Sequence, residues 1–297
     1  MLGSGFDAED AVQETMVRAW RAGEGFEGRS SVRSWLYRIA TNVCLDMLRG
    51  RQRRARPMEL GPSRPPVESS LDAVLPEGSW ISPIADERVL PPEADPAEVA
   101  LARDSIRLAF IAMLQHLPAR QRAALILCEV LRWQAAETAE LLDTSVAAVN
   151  SALQRARATM QSHLPGTRAE WSAGEPTAGE RELVEQFIAA HERLDAEAAM
   201  AIAARDLRVT MPPLPHCYQG AGTIRPLMGE AVAMGEWRLI PVGANRMPAA
   251  ASYLRRPGDS VFRAFKFDVM RIEAGMIAEI TTFNADLFPA FGLELRL

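Results

Sequence analysis

The chain has 297 residues, which at roughly 150 residues per domain suggests about two domains and excludes a peptide or a single small scaffold. Hydrophobic residues at 48% and charged residues at 24% match an ordinary folded protein and exclude a disordered or fibrous one. The net charge of −5 is unevenly spread: residues 1–57 carry ten arginines against seven acids, 58–100 carry two against nine, and between Arg29 and Arg56 eight arginines face only Asp46, a local basic footprint beside an acidic stretch.

In chain order, the first segment, 1–56, contains two helical stretches. Asp7 is placed to cap DAEDAVQETMVRAW, and Ser30 or Ser31 to cap SVRSWLYRIATNVCLDMLRGR, with GEGFEG as the turn between them. Residues 57–96 (GPSRPPVESS, LPPEADP) are rich in Pro, Ser and acids and read as a tether whose strong apolar anchors are Trp80 and Ile81. Residues 97–164 return to helical periodicity, with Ile106, Phe110, Met113, Leu114 and Leu117 at three- and four-residue steps. A different architecture occupies 178–297. Val184, Phe187, Ile188, His191 and Leu194 form a helical stripe, and Asp195 caps a second short helix. Strands follow: Leu207, Val209 and Met211 alternate, Phe265, Phe267 and Val269 define one side of VFRAFKFDVMRIE, and Phe262, Ala264, Met270 and Ile272 the other. Glu273, Ala274 and Gly275 turn this strand into MIAEITTF as an antiparallel hairpin, so helices followed by a meander predict an α+β domain.

No apolar run reaches the roughly 18 residues of a membrane span, and MLGSGFDAEDAV lacks the basic and apolar regions of a signal peptide, so a cytoplasmic location is expected. Cys44, Cys128 and Cys217 form no CxxC pair, so no metal site, disulfide framework or cofactor is expected. Lys266 is the only lysine. GC-rich coding accounts for such a bias, and no function is drawn from it.

Two constellations carry chemistry. On the helix after Ser31, Val32, Leu36, Ile39, Val43 and Met47 share a core face, while Trp35, Arg38, Asn42, Asp46, Arg49 and Arg53 share a narrow second arc. An aromatic plane, an amide and several guanidinium groups side by side suit a single nucleic-acid strand, where stacking contributes about 1–3 kcal/mol per base. A solvated amphipathic helix with Trp35 partly buried has the same spacing. Between Leu117 and Met160 the pattern is helix, break, helix, then a turn at Asp143, Thr144 and Ser145 and a final helix. In that helix Val149, Leu153, Ala156 and Met160 face inward, and Ala147, Asn150, Ser151 and Gln154 outward, flanked by Arg155 and Arg157. This is a helix-turn-helix pattern, in which small and amide side chains reach base edges while arginines hold phosphates. Two helices of an ordinary bundle are the plainer alternative.

DAEDAVQETMVRAW, GFEGRSSVRSWLYRIATNVCLDMLR and LPARQRAALILCEVLRWQAAETAELLDTSVAAVNSALQRARATM resemble domains 2 and 4 of the extracytoplasmic-function (ECF) group of bacterial RNA polymerase sigma factors. The resemblance implies that the helix with Asp10, Gln13, Glu14 and Arg18 docks on the β′ clamp helices of core RNA polymerase. It places Phe26, Trp35, Arg38, Asn42, Arg49 and Arg53 at the −10 region of promoter DNA, and Asn150, Ser151, Gln154, Arg155 and Arg157 at the −35 element. VTMPPLPHCYQG and FDVMRIEAGMIAEITTFNADLFPAFGL resemble a SnoaL-like cone-shaped domain. Its candidate pocket residues are His216, Tyr218, Trp237, Asp268 and Asn284, and a small-molecule ligand is a candidate partner. The same fold also houses cyclases and epoxide hydrolases, so the fold alone does not separate enzyme from regulator.

The expected protein is therefore multidomain: all-α sigma domains 2 and 4, then an α+β SnoaL-like domain that regulates the sigma core without catalysis. Its rivals are a SnoaL-type enzyme fused to a vestigial DNA-binding region and an ordinary helix-turn-helix repressor, in which DAEDAVQET and WLYRIATN have no role. Family domain 2 has two further helical segments before DAEDAVQET, so domain 2 is expected to be partial and Met1 an internal start. The apolar face of Val12, Met16 and Trp20 is then expected to lack cover.

Overall fold

In the computed structural model, the described residues are 1–26, 28, 30–49, 54, 75–76, 78–89, 111, 114–162, 177–214 and 217–297. Ile106, Phe110, Met113, Arg53 and His216 of the sequence reading lie outside them. The chain divides into two compact units: Met1–Arg54 with Asp95–Ser172, and Ala55–Ala94 with Ala173–Leu297.

The first unit is all-α. Helix α1, Gly5–Ala22, is capped by Ser4, whose Oγ accepts from the Asp7 amide at 3.3 Å. Asp7 therefore sits in the first turn, where its carboxylate pairs with Arg54 at 2.7 Å. Ser31 caps α2, Val32–Met47, by accepting from the Ser34 amide at 3.0 Å. Small side chains let α1 and α2 approach: Ala11, Thr15 and Ala19 are buried on α1, and Ala11 packs with Val43 of α2. Val32, expected in the core, is exposed because it starts its helix beyond the partner's reach. The apolar stripe Val12, Met16 and Trp20 is also exposed, Trp20 by 83%.

Helix α3, Ala119–Leu125, runs into a π-helical turn, Ile126–Val130, then α4, Ala135–Leu141, and α5, Val146–Ser162. The turn between α4 and α5 uses Asp143 at φ 49°, and the Thr144 amide closes it on the Ala139 carbonyl at 2.9 Å. Ser145 Oγ then accepts from Ala148 N at 3.1 Å, starting α5. Buried Arg122 donates to the carbonyls of Gln115 and Leu117 at 3.3 and 3.1 Å and to Gln115 Oε1 at 2.8 Å, satisfying carbonyl groups ahead of α3. Val149, Leu153 and Ala156 of α5 close the core with Leu125, Leu127 and Leu141.

The second unit is α+β. Helices α6 (Ala178–Glu192), α7 (Ala196–Ala201) and α8 (Ile224–Met234) cover one face of a six-stranded sheet. Its strands are β1 (Ala203–Thr210), β2 (Cys217–Gln219), β3 (Glu236–Ala244), β4 (Met247–Arg255), β5 (Arg263–Glu273) and β6 (Met276–Asn284), in the order β2-β1-β6-β5-β4-β3. Only β1 and β6 pair in parallel. Asp195 caps α7 by accepting from Ala198 N at 3.0 Å, and Ala274 and Gly275, both at positive φ, turn β5 into β6. Gly235 has no room for a side chain, since a Cβ would stand 2.2 Å from the Arg255 carbonyl, so the end of β4 closes over the junction of α8 and β3. The sheet's other face is sealed by Phe288 and Phe291 of the closing 3-10 segment, Ala285–Phe291.

Perfect alternation along β5 is interrupted. Ser252 pairs with Lys266 but Tyr253 pairs with Ala264, so Phe265 is an extra, bulged residue. Beyond the bulge the faces exchange: Phe265 joins Met270 and Ile272 under the helices, while Phe262 and Ala264 join Phe267 and Val269 on the opposite side.

The tether also departs from its reading. Its described part belongs to the second unit: Ile81 is fully buried, Ile84 and Asn245 exchange hydrogen bonds at 3.0 and 3.1 Å, and Asp86 accepts from the Arg246 amide at 2.6 Å. Burial pushes the Asp86 carboxyl up from its ordinary range. Asn245 and Arg246 are both left-handed, at φ 52° and 57°, and form the two-residue β3–β4 turn. Asn245→Gly keeps that turn and removes the side-chain contact. It is expected to raise hydrogen exchange and protease cleavage at 79–89 severalfold with the sheet intact, and unchanged protection would show that Asn245 is not the fastener.

Candidate functional site

The first site is the arc of α2. Trp35 packs on Phe26, ring centroids 5.0 Å apart and planes at 43°, so the two aromatic candidates form one platform. Asn42 and Arg49 are exposed on the same helix. Arg49 meets Asp46 at 3.2 Å, and Asp46 also receives Arg18 of α1 at 3.0 Å, so the single acid of this basic stretch is held by two arginines. Arg18 is further bonded to Glu14 at 2.7 Å, and these carboxylates raise its pKa. Asp10, Gln13 and Glu14 are exposed on α1 beside Val12, Met16 and Val17.

Packing brings the arc against the helix-turn-helix. Arg38 donates to Glu140 of α4 twice, to its carboxylate at 3.1 Å and its carbonyl at 3.3 Å. Tyr37 meets Trp133 edge-on at 5.4 Å. A hollow of about 340 Å³ remains between them, lined by Ser34, Trp35, Arg38, Trp133, Glu137 and Glu140. In the sequence nothing marks Glu140 from other solvated acids.

On α5 the buried face, Val149, Leu153 and Ala156, leaves Ala147, Asn150, Gln154 and Arg155 exposed. Ser151 is half-buried and accepts from Arg155 at 2.6 Å, which fixes the guanidinium along the helix. Arg157 is tied to Glu129, which raises its pKa and turns it toward its own unit.

The second site is a cavity of about 290 Å³ in the second unit, between α6, α8 and the sheet. Trp237 and Asp268, two of the five pocket candidates, line it. Tyr218 is buried in the adjoining core, and Asn284 is exposed at the end of β6, bonded to Asp286 at 2.7 Å; neither lines the cavity. His191 and Lys266 do. In the sequence His191 belongs to an apolar stripe, and the singularity of Lys266 is the one signal that marks this site. Asp268 is fully buried and accepts from Thr282 at 2.6 Å, Lys266 at 2.7 Å and Ser252 at 3.3 Å. His191 Nδ1 donates to the Phe187 carbonyl at 3.2 Å, and burial, with the nearby Lys266 charge, lowers its pKa to about 4.

The description Sigma-70 region 2 matches residues 1–54, and Sigma-70, region 4 matches 107–160. The ECF RNA polymerase sigma factor SigG of Mycobacterium tuberculosis is 44% identical over 298 residues, covering 99% of this chain and 79% of that protein. The chain belongs to the ECF RNA polymerase sigma factors. A second relative, the ECF sigma factor SigM of M. tuberculosis, is 32% identical over 154 residues, 52% of this chain and 62% of that protein. The crystal structure of the M. tuberculosis ECF sigma factor SigJ shares the fold across 98% of this chain and 93% of that one, with TM-score 0.56 at 22% identity. In this sigma factor α1 and α2 are region 2, α3 to α5 are region 4, and the α+β domain follows. It directs transcription initiation by RNA polymerase, and the sigma reading prevails over the enzyme and repressor rivals.

Proposed function

We propose that this sigma factor docks on the β′ clamp helices of core RNA polymerase through Asp10, Gln13, Glu14 and Arg18 of α1, with the exposed Val12, Met16 and Trp20 buried on contact. Phe26, Trp35, Arg38, Asn42, Arg49 and Arg53 act at the −10 element, the aromatic pair stacking on a separated base. Asn150, Ser151, Gln154 and Arg155 read the −35 element in the major groove, and Arg157, held by Glu129, contributes only at its edge. The carrying observation is the exposed row Asn150, Gln154 and Arg155 over a fully packed inner face of α5. The C-terminal domain is a non-catalytic regulator that takes a small ligand, a reading supported by its cavity, where the buried Asp268 carboxylate is already held by three donors. Working with RNA polymerase, as its sigma-factor relatives do, places its site of action in the cytoplasm; among the described residues no helix is long and apolar enough to cross a membrane.

Run-off transcription with core polymerase tests this reading. Arg155→Ala is expected to weaken duplex −35 binding about tenfold, since a hydrogen bond to a charged group such as a phosphate is worth about 1.5–3 kcal/mol. Asn42→Ala should spare polymerase binding and impair opening or −10 selectivity, and unchanged transcription in both variants would remove the assignment. Deleting 178–297 should change promoter-dependent transcription several-fold at matched polymerase occupancy; identical activity would make the domain a passenger.

The Arg38–Glu140 pair adds a further expectation. An exposed pair contributes about 0–1 kcal/mol, so Glu140→Ala should raise affinity for single-stranded DNA by about two- to fivefold at low salt, with the gain fading as salt screens it. Equal affinity would show that Arg38 makes no phosphate contact.

A further inference from the structure

The C-terminal cavity has an unusual division of chemistry. Its walls are apolar and include Phe187, Leu227, Met234, Trp237, Phe265 and Ile280. Its polar equipment is concentrated in Lys266, Asp268 and His191, with Thr282 already donating to Asp268 and the exposed Glu230 also bordering the space. Lys266 is the only lysine among 33 basic side chains, so the one compact ammonium of a protein that otherwise uses arginine stands in this cavity.

The polar groups specify a guest. Lys266 and Asp268 form an ion pair at 2.7 Å, so this end of the cavity is charge-compensated. An added anion would meet the Asp268 carboxylate and an added cation the Lys266 ammonium, both in apolar surroundings where an uncompensated charge is costly. The ammonium spends one of its three N–H groups on Asp268 and leans toward Trp237, 5.9 Å from the ring centroid, which leaves N–H donors for a guest. His191 commits Nδ1–H to the Phe187 carbonyl, so in its neutral form Nε2 is an acceptor. One donor and one acceptor at the same end are satisfied together by a hydroxyl group. The volume, about 290 Å³, is close to twice that of an engineered apolar cavity of about 150 Å³ that holds benzene, which corresponds to two fused rings.

We propose that this cavity binds an uncharged two-ring apolar molecule of about ten to twelve non-hydrogen atoms, whose single hydroxyl accepts from Lys266 and donates to His191. The proposal rests on the reading of the C-terminal domain as a ligand-taking regulator and assigns that ligand's class.

Calorimetric titration of the full chain with 2-naphthol, naphthalene and 2-naphthoate tests it, without polymerase or DNA. The expected result is one 2-naphthol per chain, bound about tenfold or more tighter than naphthalene or 2-naphthoate. His191→Phe should reduce 2-naphthol affinity about tenfold and leave naphthalene nearly unchanged. Ala231→Phe, which fills the cavity from α8, should abolish binding while the thermal unfolding transition persists. Absence of saturable 2-naphthol binding to the folded chain, tighter binding of the carboxylate, or full affinity in Ala231→Phe would overturn it. If 2-naphthol fails to bind while deletion of 178–297 still alters transcription, the ligand class is wrong and the regulator reading stands.

Discussion

Replacing Asp268 with leucine is expected to destabilise the C-terminal domain by about 3–5 kcal/mol, the range seen when one member of a buried ion pair is removed. The carboxylate is fully buried and accepts three hydrogen bonds from Thr282, Lys266 and Ser252. Its loss strands the ammonium and two hydroxyl groups, whose desolvation is no longer offset. The pair itself is not expected to be a large net source of stability, because two charges must leave water to form it. Asp268→Leu combined with Lys266→Met should therefore recover much of the loss, whereas independent effects would add. Calorimetric unfolding of the full chain reads the second unit's transition in each variant. A loss below about 1 kcal/mol in the single variant, or additive losses in the double, would mean that water reaches Asp268 and the end of the cavity is wet.

Acid should weaken the same domain through His191. Its pKa is lowered from 6.5 to about 4 by burial and by the Lys266 charge, the Asp268 charge and the Phe187 carbonyl pulling the other way. Part of its ring surface is cavity wall rather than outer surface, so water screens it less than its partial exposure implies. The folded state holds the imidazole neutral while the unfolded chain protonates it near pH 6.5, so the unfolded state binds more protons as pH falls. This contribution to stability is complete above pH 6.5 and is lost progressively from there to about pH 4. At about 1.4 kcal/mol per pH unit, the loss reaches about 3 kcal/mol. Denaturant titrations at pH 7.0, 5.5 and 4.5, compared between wild type and His191→Gln, isolate it from the carboxylates. A pH slope common to both proteins would assign the acid sensitivity elsewhere.

Local signals made much of this molecule legible. Ser31 and Asp195 cap the helices expected of them, because an Ncap side chain needs only amides two or three residues ahead. Val149, Leu153 and Ala156 are buried and Asn150, Gln154 and Arg155 exposed, because helical periodicity fixes which side chains share a face whatever lies opposite. The Ala274–Gly275 turn follows from two residues placed at positive φ between alternating runs. Ordered motifs of this kind carried the sigma identity, since the residue patterns of regions 2 and 4 lie along single helices.

Tertiary structure decided what depends on pairs far apart in sequence. The bulge at Phe265 exists only because Ser252 and Tyr253 of the neighbouring strand pair with Lys266 and Ala264, and no strand carries that register within itself. It sends the apolar Phe265 to the cavity face, where alternation along β5 already places Lys266 and Asp268 side by side, and so sets an aromatic wall against the polar end. Ile84 and Asp86 read as tether until the Asn245–Arg246 turn, about 160 positions away, offers its backbone and amide groups. Arg38 reads as a phosphate contact and is held by Glu140, 102 residues on, because the packing of α2 against the helix-turn-helix places a carboxylate there. Periodicity states which face of an element is buried, and only the packed chain supplies the partner that gives a charged or polar group on that face its role.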